Sequence, residues 1–258
     1  MKIGFFDSGI GGLSVLHQAM ELYPDAHYLY FADTDNVPYG TKKKKKIISL
    51  VNEAAEFLIV KKKVDILVVA CNTATSVGIN QLRALYDIPI VGMEPAVKQA
   101  AIKTNHKKRN NQILVSATKS TLKQKKLKDL IDDLNTNDKV KRISLQKLVR
   151  FAEAQDFGSK KVHKYLRRKL AKYNLDNYGA LVLGCTHFIY YKNIIQSYLP
   201  SHVQIVDGNL GTVNRMLYYV DQLESAKKVE RKLSFYQSKR KVNKTKLQPF
   251  LDHLETHK

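Results

Sequence analysis

The chain has 258 residues, 44% of them hydrophobic, and a formal net charge of +21 from 44 Lys and Arg against 23 Asp and Glu. That length buries a real core, as one large domain or two small ones. No apolar run reaches the roughly 18–20 residues that span a bilayer, so a soluble cytoplasmic protein is expected. The two cysteines, Cys71 and Cys185, form neither a C-x-x-C pair nor a four-ligand zinc spacing; free thiols and no metal site are expected.

The positive charge is scattered over 42–46, 61–63, 107–109, 123–128, 167–169 and 227–244. Lysine dominates and no aromatic residues interleave with it as a stacking platform. This reads as a solvated surface rather than a nucleic-acid site, and charge alone fixes no function.

In chain order, Lys2–Phe6 reads as an opening strand, too short for a signal-peptide core. Asp7-Ser8-Gly9-Ile10-Gly11-Gly12 is the turn after it, and Leu13–Leu22 has helical spacing. Such a turn is either a cradle for an anion on backbone N–H groups or simply a tight bend. It lacks the Walker lysine and the full G-x-G-x-x-G order. His27–Phe31 is a second strand leading to the turn Pro38-Tyr39-Gly40. A helix is expected over Lys42–Lys63, a strand over Val64–Val69 and a helix over Thr75–Tyr86. Ile88–Gly92 reads as a short strand, and Glu94-Pro95 as the restart of a helix.

The basic stretch Thr104–Asn111 is a candidate boundary. Beyond it come a strand at Gln112–Ser116, one long helix at Thr118–Leu134 and a strand at Val140–Leu145. Helices follow at Gln146–Gln155 and Lys160–Tyr173. Then come a strand at Tyr178–Leu183, a helix at Phe188–Tyr198, a strand at Val203–Val206 and a helix at Gly211–Gln222. Leu233–Tyr236 and Lys246–Leu254 read as a last strand and helix. Regular strand–helix alternation predicts an α/β fold with mostly parallel sheets.

One local pattern occurs twice. Asp65–Val69 runs into Ala70-Cys71-Asn72-Thr73, and Ala180–Leu183 runs into Gly184-Cys185-Thr186-His187. This suggests two related halves, each presenting one thiol at the carboxyl end of a parallel strand, where such sheets place ligands. A thiol ionises near pH 8.5 unless perturbed. A following helix N-terminus or a protonated His187 would favour the thiolate, whereas Asp7 near Cys71 would oppose it and offer a proton relay. Three chemistries fit: a Cys–His nucleophile, a redox pair, or two-base proton transfer across a substrate. The plain alternative is two small buried hydrophobes.

Four segments in order, Asp7-Ser8-Gly9-Ile10-Gly11-Gly12-Leu13, Pro38-Tyr39-Gly40, Ala70-Cys71-Asn72-Thr73-Ala74 and Leu183-Gly184-Cys185-Thr186-His187, resemble the glutamate racemase family of the aspartate/glutamate racemase superfamily. The resemblance runs from the first strand to about Gln222. It implies an isomerase that interconverts L- and D-glutamate without a cofactor and supplies D-glutamate for peptidoglycan. It also implies two pseudo-symmetric α/β domains with the active site in the cleft between them, here residues 1–97 plus 208–258 and residues 98–207. Cys71 is similar to the thiol acting on the D-enantiomer and Cys185 to the one acting on the L-enantiomer, assisted by Asp7 on one side and by His187 with Glu153 on the other. Asp7, Ser8, Tyr39, Gly40, Asn72, Thr73, Thr186 and His187 correspond to substrate contacts. A homodimer is implied, with no membrane partner.

Several positions depart from the family's pattern. Ala117-Thr118-Lys119-Ser120-Thr121 stands for Gly-Thr-x-x-Thr and keeps both threonines. Leu145-Gln146-Lys147-Leu148 replaces a Cys-Pro segment ahead of Glu153. Thr186-His187-Phe188-Ile189, Val206-Asp207-Gly208 and Gln237-Ser238-Lys239-Arg240 also differ. Two other readings stand beside the first: a racemase of aspartate or a related acid, and a nucleic-acid-binding protein that retains the fold.

Overall fold

The computed structural model describes residues 1–104, 112–134, 139–223 and 232–256. The expected boundary at 104–111 falls almost wholly outside them, as do the charge run at 107–109 and the start of the one at 227–244.

The first half opens with β1 (Lys2–Asp7), α1 (Leu13–Leu22) and β2 (His27–Ala32). A short 3₁₀ turn at Tyr39–Thr41 precedes α2 (Lys44–Glu56). That helix widens into a π-helical turn, Phe57–Lys61, in which Lys62 N–H reaches back to Phe57 O. The chain then leaves through Lys63 in the left-handed region, φ 54°. β3 (Ile66–Val69), α3 (Asn72–Leu85), β4 (Ile90–Gly92) and α4 (Val97–Lys103) follow.

Next come β5 (Gln112–Ala117), α5 (Lys119–Lys123), α6 (Lys125–Asp133) and β6 (Val140–Ser144). α7 (Lys147–Glu153), α8 (Lys160–Leu170) and β7 (Tyr178–Gly184) lead to a 3₁₀ turn at Thr186–Tyr191. α9 (Lys192–Gln196), β8 (Gln204–Asp207) and α10 (Asn209–Gln222) follow. The chain ends in β9 (Lys232–Gln237), β10 (Arg240–Val242) and α11 (Gln248–Thr256).

The strands form two sheets. One has the order β10-β9-β2-β1-β3-β4, parallel except for the β9–β10 hairpin; the other, β6-β5-β7-β8, is wholly parallel. The inner strands read as unbroken apolar runs because helices cover both faces. Ile3, Phe5 and Phe6 of β1 and all four residues of β3 are fully buried. β6 lies at an edge and puts Lys141 and Arg142 in solvent, which discourages pairing with another chain.

α10 returns to pack on α1, β3 and β4, and β9 adds beside β2. α11 spans both halves: it packs on α1, while Phe250 meets Phe157 edge-on, His253 stacks on Phe157, and His253 Nε2 meets Tyr190 O at 3.0 Å. Among the described residues no helix is long and apolar enough to cross a membrane.

Three expectations need correction. Glu94-Pro95 is not helical; Ala96 is non-helical too, and α4 starts at Val97. The helix foreseen over Thr118–Leu134 is two, because Gln124 is extended (φ −73°, ψ 139°). The helix foreseen over Phe188–Tyr198 is a 3₁₀ turn followed by the short α9. β10 was not foreseen. Its hairpin turns on Ser238 and Lys239 at φ 43° and 72°, without the glycine or asparagine that marks such turns.

Candidate active site

Equivalent strand ends deliver the reactive side chains. β1 ends in Asp7, β3 leads to Cys71, β5 to Thr118 and β7 to Cys185. Both cysteines are extended residues heading a helical turn, and both are buried, at 6% and 7% exposure. Their surroundings differ. Cys71 heads the fourteen-residue α3, but Cys185 heads only a 3₁₀ turn, so the helix dipole expected at both thiols has real length at Cys71 alone.

On one side Cys71 Sγ lies 3.6 Å from Ser8 Oγ. Burial, and then the carboxylate of Asp7, push the Cys71 thiol up to about 12. Asp7 is itself fully buried. Burial raises its pKa, against the opposing pull of His187, the Gly9 N–H at 2.8 Å and the Thr186 hydroxyl at 3.0 Å. At neutral pH Cys71 is therefore a thiol, a proton donor next to a carboxyl that takes up a proton more readily than an ordinary aspartate.

On the other side Cys185 Sγ stands 3.8 Å from His187 Nδ1, and His187 Nε2 stands 2.6 Å from Glu153 Oε1. Burial alone would lower the pKa of His187. The bonds to Cys185 and Glu153 outweigh it and hold the ring well above its usual value, as an imidazolium. A thiolate at Cys185 thus has a cation beside it.

The glycine-rich turn joins the two sides. Two of its N–H groups meet carboxylates: Gly9 N–H donates to Asp7, and Ile10 N–H to Glu153 Oε1 at 2.9 Å. A Cβ at Gly9 would lie 1.8 Å from Glu153 Oε1, and one at Gly11 2.4 Å from His187 Nδ1, so only glycine permits this approach. Tyr30 and Tyr190 donate to the carbonyls of Gly9 and Ile10 and pin the turn.

The remaining expected contacts surround this centre. Thr73 Oγ1 meets Thr118 and Thr121 at 3.1 and 3.2 Å, and those two hydroxyls meet each other at 3.0 Å, tying α3 to α5. Asn72 donates to Met93 O, while its buried Oδ1 has no partner among the described residues. Tyr39 turns its hydroxyl to Asp33 Oδ2 at 2.7 Å rather than to a thiol; burial, and then Asp33, keep it neutral. Gly40 lies against Thr118 and Gln146.

Ser8, Cys71, Asp7, Thr186, Cys185, His187 and Glu153 are thus brought together, with Tyr39, Gly40, Asn72 and Thr73 around them. Sequence reasoning passed over Thr118, Thr121 and Asp33 as site residues. For the threonines the signal is the Thr-x-x-Thr spacing of Thr118 and Thr121. For Asp33, bonded also to Ser238 Oγ at 2.9 Å, there was none.

A family model described as Asp/Glu/Hydantoin racemase matches residues 14–216. The chain is 45% identical to a glutamate racemase of Campylobacter curvus, over 94% of this chain and 91% of that one. Two solved structures superpose on it over most of their length. The glutamate racemase of Campylobacter jejuni gives a TM-score of 0.78 at 29% identity, covering 100% of both chains. That of Francisella tularensis, in complex with D-glutamate, gives 0.81 at 25% identity, covering 99% of this chain and 94% of that one.

Proposed function

The chain belongs to the Asp/Glu/Hydantoin racemase family, and we propose that it is a glutamate racemase, an isomerase that interconverts L- and D-glutamate by two-thiol proton transfer. The observation that carries the mechanism is the matched pair of thiols at strand ends of two sheets, each with its own acid–base partner. Cys71 has Ser8 and Asp7; Cys185 has His187 and Glu153.

In the L-to-D direction, a thiolate at Cys185, charge-balanced by the His187 imidazolium, takes the α-proton. The electron pair stays on the α-carbon and is delocalised into the α-carboxylate. Cys71, held as a thiol, then delivers its proton to the opposite face. Each turnover leaves a thiol at Cys185 and a thiolate at Cys71. To reset the pair, one proton leaves Cys185 by way of His187 and one reaches Cys71 by way of Asp7. From D-glutamate the roles reverse.

Donors aimed where negative charge develops supply most of the stabilisation in such reactions. The backbone N–H groups near Ser8, Thr73 and Thr186 are suited to the two carboxylates. Asn72 Oδ1, which has no partner among the described residues, is an acceptor suited to the ammonium. Water excluded from a closed cleft strengthens each of these contacts.

In this reading the moving units are residues 1–97 with 208–258, and residues 98–207. The two-sheet arrangement supports that division. A cytoplasmic homodimer supplying D-glutamate for peptidoglycan completes the proposal, and sedimentation velocity checks the dimer.

The test is α-proton exchange in heavy water, following each enantiomer separately for the parent, Cys71→Ser and Cys185→Ser. Racemisation by the parent without added cofactor, lost in both variants, supports the mechanism. Faster turnover of aspartate than of glutamate would move the substrate to the related acid.

A further inference from the structure

Tyr30 lies on β2, in the first half of the chain, fully buried, and its hydroxyl donates to the Gly9 carbonyl at 2.7 Å. Gly9 and Ile10 share that peptide unit. It is trans, so the Ile10 N–H points away from the carbonyl that Tyr30 holds. This N–H meets Glu153 Oε1 at 2.9 Å. The same oxygen faces His187 Nε2 at 2.6 Å, and His187 Nδ1 faces Cys185 Sγ at 3.8 Å. A phenol of the first sheet is thus joined, through one peptide plane, to the thiol of the second.

The grip at Gly9 rests on Tyr30. Among the described residues its hydroxyl is the one partner of the Gly9 carbonyl, whereas the Ile10 carbonyl accepts both the Tyr190 hydroxyl and the Leu13 N–H at 3.1 Å. A Cβ at Gly12 would lie 3.1 Å from Tyr30 Oη, so the phenol sits directly against the turn. Burial, and then the charge of Asp7, hold the Tyr30 pKa well above its usual value, and the phenol stays a neutral donor. The Glu153 side chain is 18% exposed, so without the Ile10 N–H it has water as an alternative partner. A hydrogen bond accepted at a peptide carbonyl also polarises that peptide's N–H, so the bond at Gly9 strengthens the one at Glu153.

We propose that Tyr30 is a positioning residue for the Cys185 side of the reaction: by gripping the Gly9 carbonyl it holds the Ile10 N–H on Glu153, and through Glu153 it holds the His187 ring against Cys185. The inference rests on the racemase reading for the role of Cys185. The titratable groups that act on His187 are Cys185, Glu153 and Asp7. Tyr30→Phe removes none of them, so a change in how the ring titrates reports a change in geometry.

The test is Tyr30→Phe, which keeps the ring that packs on Phe235 and loses only the hydroxyl. In protein carrying isotope-labelled histidine, the His187 signal is identified by its loss in His187→Gln. Its titration is then followed by NMR in parent and variant. The midpoint should fall by about half a pH unit or more, roughly a threefold loss of proton affinity. The alkaline limb of α-proton exchange from L-glutamate should fall with it. Tyr28→Phe removes another buried hydroxyl from the same strand, one that bonds Ala19 O near the far end of α1, and should leave the midpoint in place. Thermal melts show that both variants are folded. An unchanged or raised midpoint in Tyr30→Phe overturns the proposal. An equal fall in Tyr28→Phe also overturns it, since that would mean a general loosening of the core. The ring titration needs no turnover: a parent that does not racemise glutamate overturns the racemase reading, while the shift still supports the link from Tyr30 to His187.

Discussion

His187 Nε2 and Glu153 Oε1 stand 2.6 Å apart, and the same carboxylate oxygen also accepts the Ile10 N–H at 2.9 Å. One atom of α7 therefore holds the histidine charged and fixes the turn that carries Asp7. Glu153→Gln keeps an acceptor for Ile10 but removes the charge that favours the imidazolium. His187 has a raised pKa when folded, so its stabilising contribution is complete below the unfolded value near 6.5 and is lost as pH rises through the folded pKa. The variant should lose the imidazolium at lower pH. The alkaline limb of kcat/KM for L-glutamate moves down, and the rate at neutral pH falls about 100-fold. An unchanged pH profile would remove Glu153 from the reaction.

Cys71 makes an independent prediction. Its thiol is pushed up to about 12 by burial and then by Asp7. In a Cys185→Ser background, iodoacetamide labelling of Cys71 should keep accelerating with pH beyond the range of an ordinary cysteine. Asp7→Asn removes the like charge and should lower that inflection. If the inflection stays in place, burial alone governs the thiol.

The Thr73–Thr118–Thr121 cluster should show in stability. Thr73→Val leaves the other two hydroxyls bonded to each other and should cost about 1 kcal/mol. Thr118 also accepts the Thr121 N–H at 3.2 Å as the cap of α5, so Thr118→Val should cost about 1 kcal/mol more. Denaturant midpoints at constant m distinguish the two.

Lys63 leaves the π-helical turn at φ 54°, where a side chain is strained and glycine is not. Lys63→Gly should raise stability by about 0.5–1 kcal/mol, read from the same unfolding curves. A loss of stability would show that the lysine side chain contributes more than its backbone strain.

The parts of the site that lie on single strand ends were legible in the sequence. Cys71, Cys185 and Asp7 each follow an apolar run, and burial of a parallel strand leaves little choice about where such a run ends. What was not legible depends on contacts between distant segments. Gln124 gives no local sign that the helix must break there. Nothing around Cys185 forecasts a 3₁₀ turn in place of an α-helix. The hairpin at Ser238-Lys239 lacks its usual residues because side-chain bonds from Ser238 to Asp33 and from Lys239 to Glu53 hold it instead. Asp33 reaches the site only through the Tyr39 hydroxyl that turns toward it.

The place of β9 in the first sheet sets an order of assembly. It pairs with β2, strands separated by the whole of the four-stranded sheet. During synthesis β5 to β8 emerge complete and can pair while β2 still presents an open edge. Contacts this distant in sequence form late, since loop closure precedes their reward. A nascent chain stopped after Asp207 should therefore protect β7 from proteolysis before β2. The half that carries Cys185 would then be the template on which the half that carries Cys71 is finished.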